Sequence, residues 1–321
     1  MNASGPIFIV GAPRSGTTLL RNMLNRHPQV AICDETFYFY WVYQRRRAFG
    51  DLRDDSRRRL LVERWMATNR IRRLELDAAP LREALLRDGI SYPALFEALI
   101  REYARQRGRP VCGEKTPDHA LVAETLCDWY PTCRLIHIAR DPRDVAASLG
   151  RMPWGGGHTL INARRWVDCV AAAECLAARP NFIRLRYENL VAHPEGELRR
   201  LCTALDLDFD ASMLIAEKPK QVDQWWFERA QGGVTTDRVS AYRVQLSPRD
   251  VALIEWVSGE WMSRLGYPRS SQPPNALIRI AARMAETVSS VRGKFANLPT
   301  MYHYWLRPTQ LAAEERARAV P

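Results

Sequence analysis

Eight consecutive residues near the start of the chain, Gly11-Ala-Pro-Arg-Ser-Gly-Thr-Thr18, have the make-up of an anion cradle. They follow a short apolar run, Ile7 to Val10, and lead into a helical pattern over 17–26 that stops before His27-Pro28. At such a strand-to-helix turn, successive backbone N–H groups and the positive end of the helix point at one spot. Gly11 and Gly16 permit the tight turn and a close backbone approach. Arg14 brings a positive charge, and Ser15, Thr17 and Thr18 bring hydroxyl donors. Against the nucleoside-triphosphate pattern G-x-x-x-x-G-K-[ST], Gly11, Gly16 and Thr18 match, but Thr17 stands where the lysine belongs. Enzymes that act on Mg²⁺-ATP use that lysine on the β- and γ-phosphates. Its absence, with no clear acidic residue after an apolar strand to hold Mg²⁺, argues against a metal-dependent nucleotide hydrolase or kinase.

A second strand–turn–helix lies at Leu135-Ile-His-Ile-Ala-Arg140-Asp-Pro-Arg-Asp-Val-Ala-Ala-Ser148. Arg140 falls at the strand end and Ser148 two turns into the helix, so both can reach an anion held at the sheet edge. Pro142 suits the first helical position. The bland alternative pairs Arg140 with Asp141 or Asp144. Two further strand ends carry ionisable groups. Val30–Cys33 is followed by Asp34 and Glu35, and Val111-Cys112 by Gly113-Glu-Lys115. If these strands run parallel to the first, their C-terminal ends open on the same edge as the Gly-rich loop, where ligands of such sheets bind. Glu35 is then a candidate general base, unless it or Asp34 caps a helix or pairs with an arginine. Lys115 is a candidate source of the cation missing from the loop, unless it pairs with Glu114 or Asp118. Among the histidines, His137 lies mid-strand and is expected in the core; His119 and His158 are weaker candidates for a base.

Taken together, Pro6 to Leu20 with His27-Pro28 resembles the 5′-phosphosulfate-binding segment of sulfotransferases that use 3′-phosphoadenosine 5′-phosphosulfate (PAPS). It is most similar to the branch of tyrosylprotein sulfotransferases and many bacterial enzymes. The segment 135–148 resembles that family's 3′-phosphate motif. The resemblance implies that Arg14, Ser15, Gly16, Thr17 and Thr18 bind the 5′-phosphosulfate and that Arg140 and Ser148 grip the 3′-phosphate. It also places Glu35 where tyrosylprotein sulfotransferases carry a catalytic Glu. Transfer of a sulfuryl group to an alcohol needs a base for the hydroxyl proton and cations for the sulfuryl oxygens and the leaving phosphate. Glu35 would supply the first, Lys115 and Arg14 the second, in an in-line displacement. No metal is required. Leu185-Arg-Tyr-Glu-Asn-Leu190 resembles the strand-end segment near the adenine, with Tyr187 on the cofactor. Gly232-Gly233-Val-Thr-Thr-Asp-Arg238 reads as a loop closing over it, with Arg238 near the phosphates, although the Gly- and Lys-rich late motif of cytosolic sulfotransferases is not matched. Trp225-Trp226-Phe227 lines an acceptor pocket or belongs to the core.

The elements that must hold these groups form an α/β fold, a P-loop-like central parallel sheet flanked by helices. A helical insertion over about 44–109 and a C-terminal helical tail complete it. The insertion contains the triplets Arg45-Arg46-Arg47 and Arg57-Arg58-Arg59, expected on solvated faces, and a helix capped by Ser91. A further helix is bounded by Ser247-Pro248 and Gly266. Residues 1–270 make the catalytic domain. Residues 271–321 make a linker and an amphipathic tail. Its stripe of Leu277, Ile280, Ala281, Met284, Val288, Val291 and Phe295 is expected to pack on the body, with a membrane surface or a homodimer as alternatives. With 321 residues, 46% of them hydrophobic, the chain can bury a full core.

Its net charge of +11 suits anionic ligands but does not choose among them. Seven cysteines, an odd number without metal-ligand spacing, fit neither a disulfide framework nor a zinc site and point to a reducing, cytoplasmic setting. The hydroxyl acceptor (peptide tyrosine, sugar, lipid or secondary metabolite) is not legible in the sequence. Two rival functions stand beside this one: a nucleotide or small-molecule kinase, and a non-enzymatic basic anion-binding protein. No motif for specific nucleic-acid recognition is present.

Overall fold

Ile7-Phe-Ile-Val10 is apolar on both faces, which suits a strand covered on both sides. In the computed structural model, which describes residues 5–152, 155, 158–215, 234–284 and 287, this run is the central strand β1 (Ile7–Val10). With β2 (Val30–Cys33), β3 (Val111–Lys115), β4 (Arg134–Ala139) and β5 (Phe182–Arg186) it forms one parallel sheet in the order β2-β3-β1-β4-β5. The register sets Ile9 beside Lys115 and Val10 beside His137. Because every strand runs the same way, the residues after β1, β2, β3, β4 and β5 emerge at one edge. β2 lies next to β3 rather than β1, so the Glu35 and Lys115 ends are neighbours.

Alternate side chains of β1 enter different cores. Phe8 and Val10 join Phe96, Leu135 and Trp166 on one face; Ile7 and Ile9 join Leu20, Leu24, Ile136 and Leu201 on the other. Helix α1 (Thr17–Arg26) covers the second face through Leu20, Met23 and Leu24. Helix α2 (Tyr92–Arg105), capped by Ser91 accepting from the Ala94 amide at 3.3 Å, covers the first through Phe96, Leu99 and Ile100. Helix α3 (Pro142–Gly150) starts at Asp141, whose side chain accepts from the Arg143 amide, with Pro142 at the first position. Helices α4 (Thr159–Glu174) and α5 (Pro248–Arg264) pack on it and on each other.

Some expectations are corrected. β3 extends to Lys115, so Gly113, Glu114 and Lys115 belong to the strand and not to a loop after it. The helical region begins at Tyr38, ahead of 44. Arg58, from the second Arg triplet, is not solvated: it is 2% exposed and bonds Asp55, Asp88 and the Leu52 carbonyl. Ser270 and Ser271 are not free linker, because their amides and hydroxyls all donate to the buried Glu255 carboxylate. In the tail, residues 276–284 are helical, but the row that packs is Ile278 and Ala282 against Leu160, Leu253 and Trp256. Leu277, Ile280 and Met284 of the expected packing stripe face outward; Val288, Val291 and Phe295 lie outside the described residues, as do Trp225, Trp226, Phe227, Gly232 and Gly233. All seven cysteines are free thiols, six of them buried.

Candidate active site

The turn after β1 is closed tightly. Gly11 donates its amide to the Pro117 carbonyl at 3.2 Å, and Ser15 donates to Ala12 at 3.1 Å. Arg14 (φ 75°) and Gly16 (φ 97°) are both left-handed. A Cβ at Gly16 would stand 2.5 Å from a Tyr187 ring carbon, so only glycine lets the loop lie against that ring. The Ser15 hydroxyl is fully buried and without a partner among the described residues, at the mouth of a helix N-terminus, where an anion would satisfy it. Thr17 is buried and Thr18 half-buried at the first turn of α1.

Arg14 and Ser148 meet, the guanidinium Nε donating to the hydroxyl at 3.1 Å. Arg140 donates to the Arg14 carbonyl at 3.0 Å and to the Arg238 carbonyl at 2.6 Å, and its guanidinium lies 4.3 Å from the Tyr187 ring centroid. The Trp166 indole N–H holds the Arg140 carbonyl at 2.9 Å. The two expected anion motifs thus touch each other, and the backbone of Arg238 is tied to them through Arg140. Burial first, then the charges of Arg140, Arg151 and Arg238, push the Arg14 pKa down to about 10. Like charges crowded in this way repel unless an anion is brought among them. Among the described residues neither Arg14 nor Arg238 forms an ion pair with a carboxylate. The carboxylate beside Arg140, Asp144, is 3.9 Å away and already accepts the Ser240 and Tyr242 amides at 2.9 and 2.8 Å. Tyr187 therefore supports the loop and Arg140 with its ring.

Next to these residues runs a chain of alternating charge. Lys115, wholly buried, places its Nζ 2.8 Å from Glu35 Oε1 and 2.8 Å from Asp34 Oδ1. Arg21 of α1 holds Asp34 Oδ2 at 3.2 Å, and Arg70 holds Glu35 Oε2 at 3.3 Å while lying over the Phe37 ring. Burial works against both members of the first pair. Lys115 nonetheless sits above its ordinary pKa because Asp34 and Glu35 flank it, and Asp34 falls well below the usual carboxylate range under the charges of Lys115 and Arg21. Glu35 also acts on the Arg14 charge, so the strap and the loop after β1 share one field. The strap that carries Glu35 is fixed from below: buried Glu114 accepts from the Thr36 amide at 3.1 Å and hydroxyl at 2.8 Å, from Thr116, and faces His119 Nδ1 at 3.1 Å.

Arg14, Ser148, Arg140 and the Arg238 carbonyl are in contact at this edge, and Glu35 and Lys115 are paired beside them. The bland alternative for Lys115 is overturned, since its partners are Asp34 and Glu35, not Glu114 or Asp118. Glu35 is paired with Arg70 and Lys115, as its alternative reading expected, and its side chain is 16% exposed. His119 is tied to Glu114, His137 is fully buried on Glu174 at 2.8 Å, and His158 caps α4, so none of the three is placed as a base. Sequence reasoning missed Arg21, Arg70 and Arg151. Arg21 carries a signal, one helical turn beyond Thr17 on α1. Arg70 carries none, since only the folding of the insertion brings it across. Among the described residues, no group of three or more His, Cys, Asp or Glu side chains is arranged to hold a metal ion.

A family model described as "Sulfotransferase family" matches residues 6–211, and the chain belongs to that family. Among curated relatives, protein-tyrosine sulfotransferase 1 of Danio rerio is 27% identical over 294 residues, covering 84% of this chain and 74% of the relative. The omega-hydroxy-beta-dihydromenaquinone-9 sulfotransferase Stf3 of Mycobacterium tuberculosis is 26% identical, covering 86% of this chain and 78% of its own length. Among solved structures, the sulfotransferase domain from the curacin biosynthetic pathway superposes with a TM-score of 0.58 at 18% identity, over 83% of this chain and 99% of that one. That likeness shows the shared fold.

Proposed function

We propose that this sulfotransferase takes its sulfuryl group from PAPS and passes it to an acceptor hydroxyl, leaving a sulfate ester and 3′-phosphoadenosine 5′-phosphate (PAP). The observation that carries the reading is the joining of the two anion motifs, with Arg14 on Ser148 and Arg140 on the Arg14 and Arg238 carbonyls, at the sheet edge that also holds the Glu35–Lys115 pair. A donor with phosphates at both the 5′ and 3′ positions would meet cations from both motifs. Arg14, Ser15, Gly16, Thr17 and Thr18 are assigned to the 5′-phosphosulfate, and Arg140, Ser148 and Arg238 to the 3′-phosphate.

Glu35 takes the acceptor proton. Before transfer, Lys115 balances Glu35 and Asp34 together. As Glu35 becomes neutral, more of the ammonium charge is released toward the oxygens from which sulfur departs. Proton removal and leaving-group stabilisation are thus linked through one buried cation. The charge neutralisation is assigned to the protein's own cations, and the reaction is expected to proceed without added metal. Relatives named for protein tyrosine and for a menaquinone-derived lipid support a hydroxyl acceptor, and we place the reaction in the cytoplasm.

Calorimetric titration with PAP, beside AMP and Mg²⁺-ATP, tests the donor. Metal-independent binding that requires the 3′-phosphate is expected. Preference for Mg²⁺-ATP would return the kinase, and no nucleotide binding would return a plain anion-binding protein. Transfer of labelled sulfate from PAPS to a panel of phenols, tyrosyl peptides, sugars and lipid alcohols then identifies the acceptor.

A further inference from the structure

Three of the seven exposed large apolar side chains among the described residues fall within eight positions: Leu277, Ile280 and Met284, at 78%, 57% and 66% exposure. Their i, i+3, i+7 spacing sets them in one row along the helix over 276–284. A surface helix ordinarily turns such a row inward. This one is held the other way round. Ile278 and Ala282, on a different face, are its anchors against Leu160, Leu253 and Trp256. Arg279 and Arg283 are fixed on the arc between, with their guanidinium carbons 5.8 and 5.3 Å from the Trp256 ring centroid. Neither forms an ion pair with a carboxylate among the described residues. The helix thus presents an apolar row with two arginines along its flank, on a protein whose net charge is +11.

We propose that this face docks the protein onto a lipid surface carrying anionic headgroups, with Leu277, Ile280 and Met284 entering the acyl boundary and Arg279 and Arg283 at headgroup level. Amphipathic helices that lie in the interface combine these two features, and basic residues near such a surface strengthen the attachment. Charge favours lipid over a second copy of the chain. Antiparallel two-fold pairing through this row would bring Arg279 and Arg283 of both copies together. The inference concerns a face built by α4, α5 and the tail helix, and does not depend on the reaction proposed above.

The test is sedimentation of the full-length protein with vesicles of phosphatidylcholine alone and of phosphatidylcholine mixed with phosphatidylglycerol, at low and high salt. The wild type is expected to pellet with the anionic vesicles, less so at high salt, and to stay in solution with the neutral ones. A Leu277→Glu/Met284→Glu variant should lose roughly tenfold or more in vesicle affinity, and Arg279→Glu/Arg283→Glu should lose the preference for anionic lipid. The four positions are exposed, so melting temperature and PAP affinity in the same preparations report whether the body is intact. Failure of the wild type to bind anionic vesicles, or binding untouched by Leu277→Glu/Met284→Glu, overturns the proposal. So does a concentration-dependent dimer, seen by light scattering, that those two substitutions abolish.

Discussion

The Lys115 ammonium lies 2.8 Å from Glu35 Oε1, with no part of the lysine open to solvent. The pair couples a strand end in the middle of the sheet to a strap beyond its edge strand, and its other partners, Asp34 and Arg70, extend it to either side. Replacing Glu35 with Gln keeps the shape and the hydrogen-bonding reach but removes the site for the acceptor proton. Turnover should fall by about 10²- to 10⁴-fold, the usual worth of a general base, while PAP affinity holds. Near-normal release of PAP from PAPS by Glu35→Gln would take the residue out of the chemistry.

Lys115→Met should cost stability as well as activity. Removing one member of a buried ion pair commonly costs about 3–5 kcal/mol, because the partner charge is left uncompensated. Asp34, 43% exposed, keeps water on one side, so the loss should fall at the low end of that range. Urea unfolding measures it. The pairing explanation also requires that Asp34→Asn added to Lys115→Met recover part of the lost stability; a purely additive double variant would contradict it.

Arg140→Ala removes the guanidinium that holds the carbonyls of Arg14 and Arg238 and covers Tyr187. A hydrogen bond to a charged group is worth about 1.5–3 kcal/mol, so PAP should bind about 10- to 100-fold more weakly, with AMP affected less. Equal losses for PAP and AMP would show that Arg140 orders the loop without touching the 3′-phosphate.

Gly16→Ala tests the packing of the phosphate loop. The left-handed backbone alone costs an L-residue about 1–2 kcal/mol, and the new methyl would stand 2.5 Å from Tyr187. The variant should melt lower and bind PAP poorly. Tyr187→Ala in the same chain relieves the contact but not the backbone strain, so it should restore only part of the melting temperature. Complete restoration would mean that strain is absent.

Acid should weaken the fold through two buried carboxylates. Burial pushes Glu255 up, but the donors of Ser270 and Ser271 outweigh it and hold the pKa at about 2, against an ordinary 4.5. Glu174, buried likewise, is held at about 2 by Arg184 and His137. A depressed folded value means the stabilisation is complete above about pH 4.5 and drains away as the pH falls toward 2. For Glu255 the shift corresponds to something on the order of 3 kcal/mol. Melting temperature followed downward from neutral pH should drop across that window, and Glu255→Gln should flatten the drop. An unchanged acid limb in the variant would locate the acid sensitivity elsewhere.

The parts of this molecule written locally were legible. β1, α1 and β2 follow from a continuous apolar run, a Gly-rich turn and helical spacing, and the Ser91 and Ser247 caps from their own residue types. What escaped depends on distance in the chain. Arg70 reaches Glu35 across 35 positions, and the seat of Arg140 on the Arg238 carbonyl spans 98. The tail misled for a different reason: spacing shows that Leu277, Ile280 and Met284 share a face but carries no information on which way that face is turned. The small, weak row of Ile278 and Ala282 won the contact.

The phosphate loop and the lysine strand are sewn together by Gly11 donating to Pro117, as the strap and the lysine strand are by Thr36 on Glu114. β1 and β2 are buried on both faces, so the apolar pattern that polices alignment in a one-sided sheet is silent here. A slide of one residue between β1 and β3 would move Gly113 from its close seat on the Ile7 carbonyl, turn buried Glu114 into the opposite core and carry Lys115 to the opposite side of the sheet from Glu35. These few polar stitches therefore act as the proofreaders of assembly. Their loss would be felt as instability and as a catalytically blank protein.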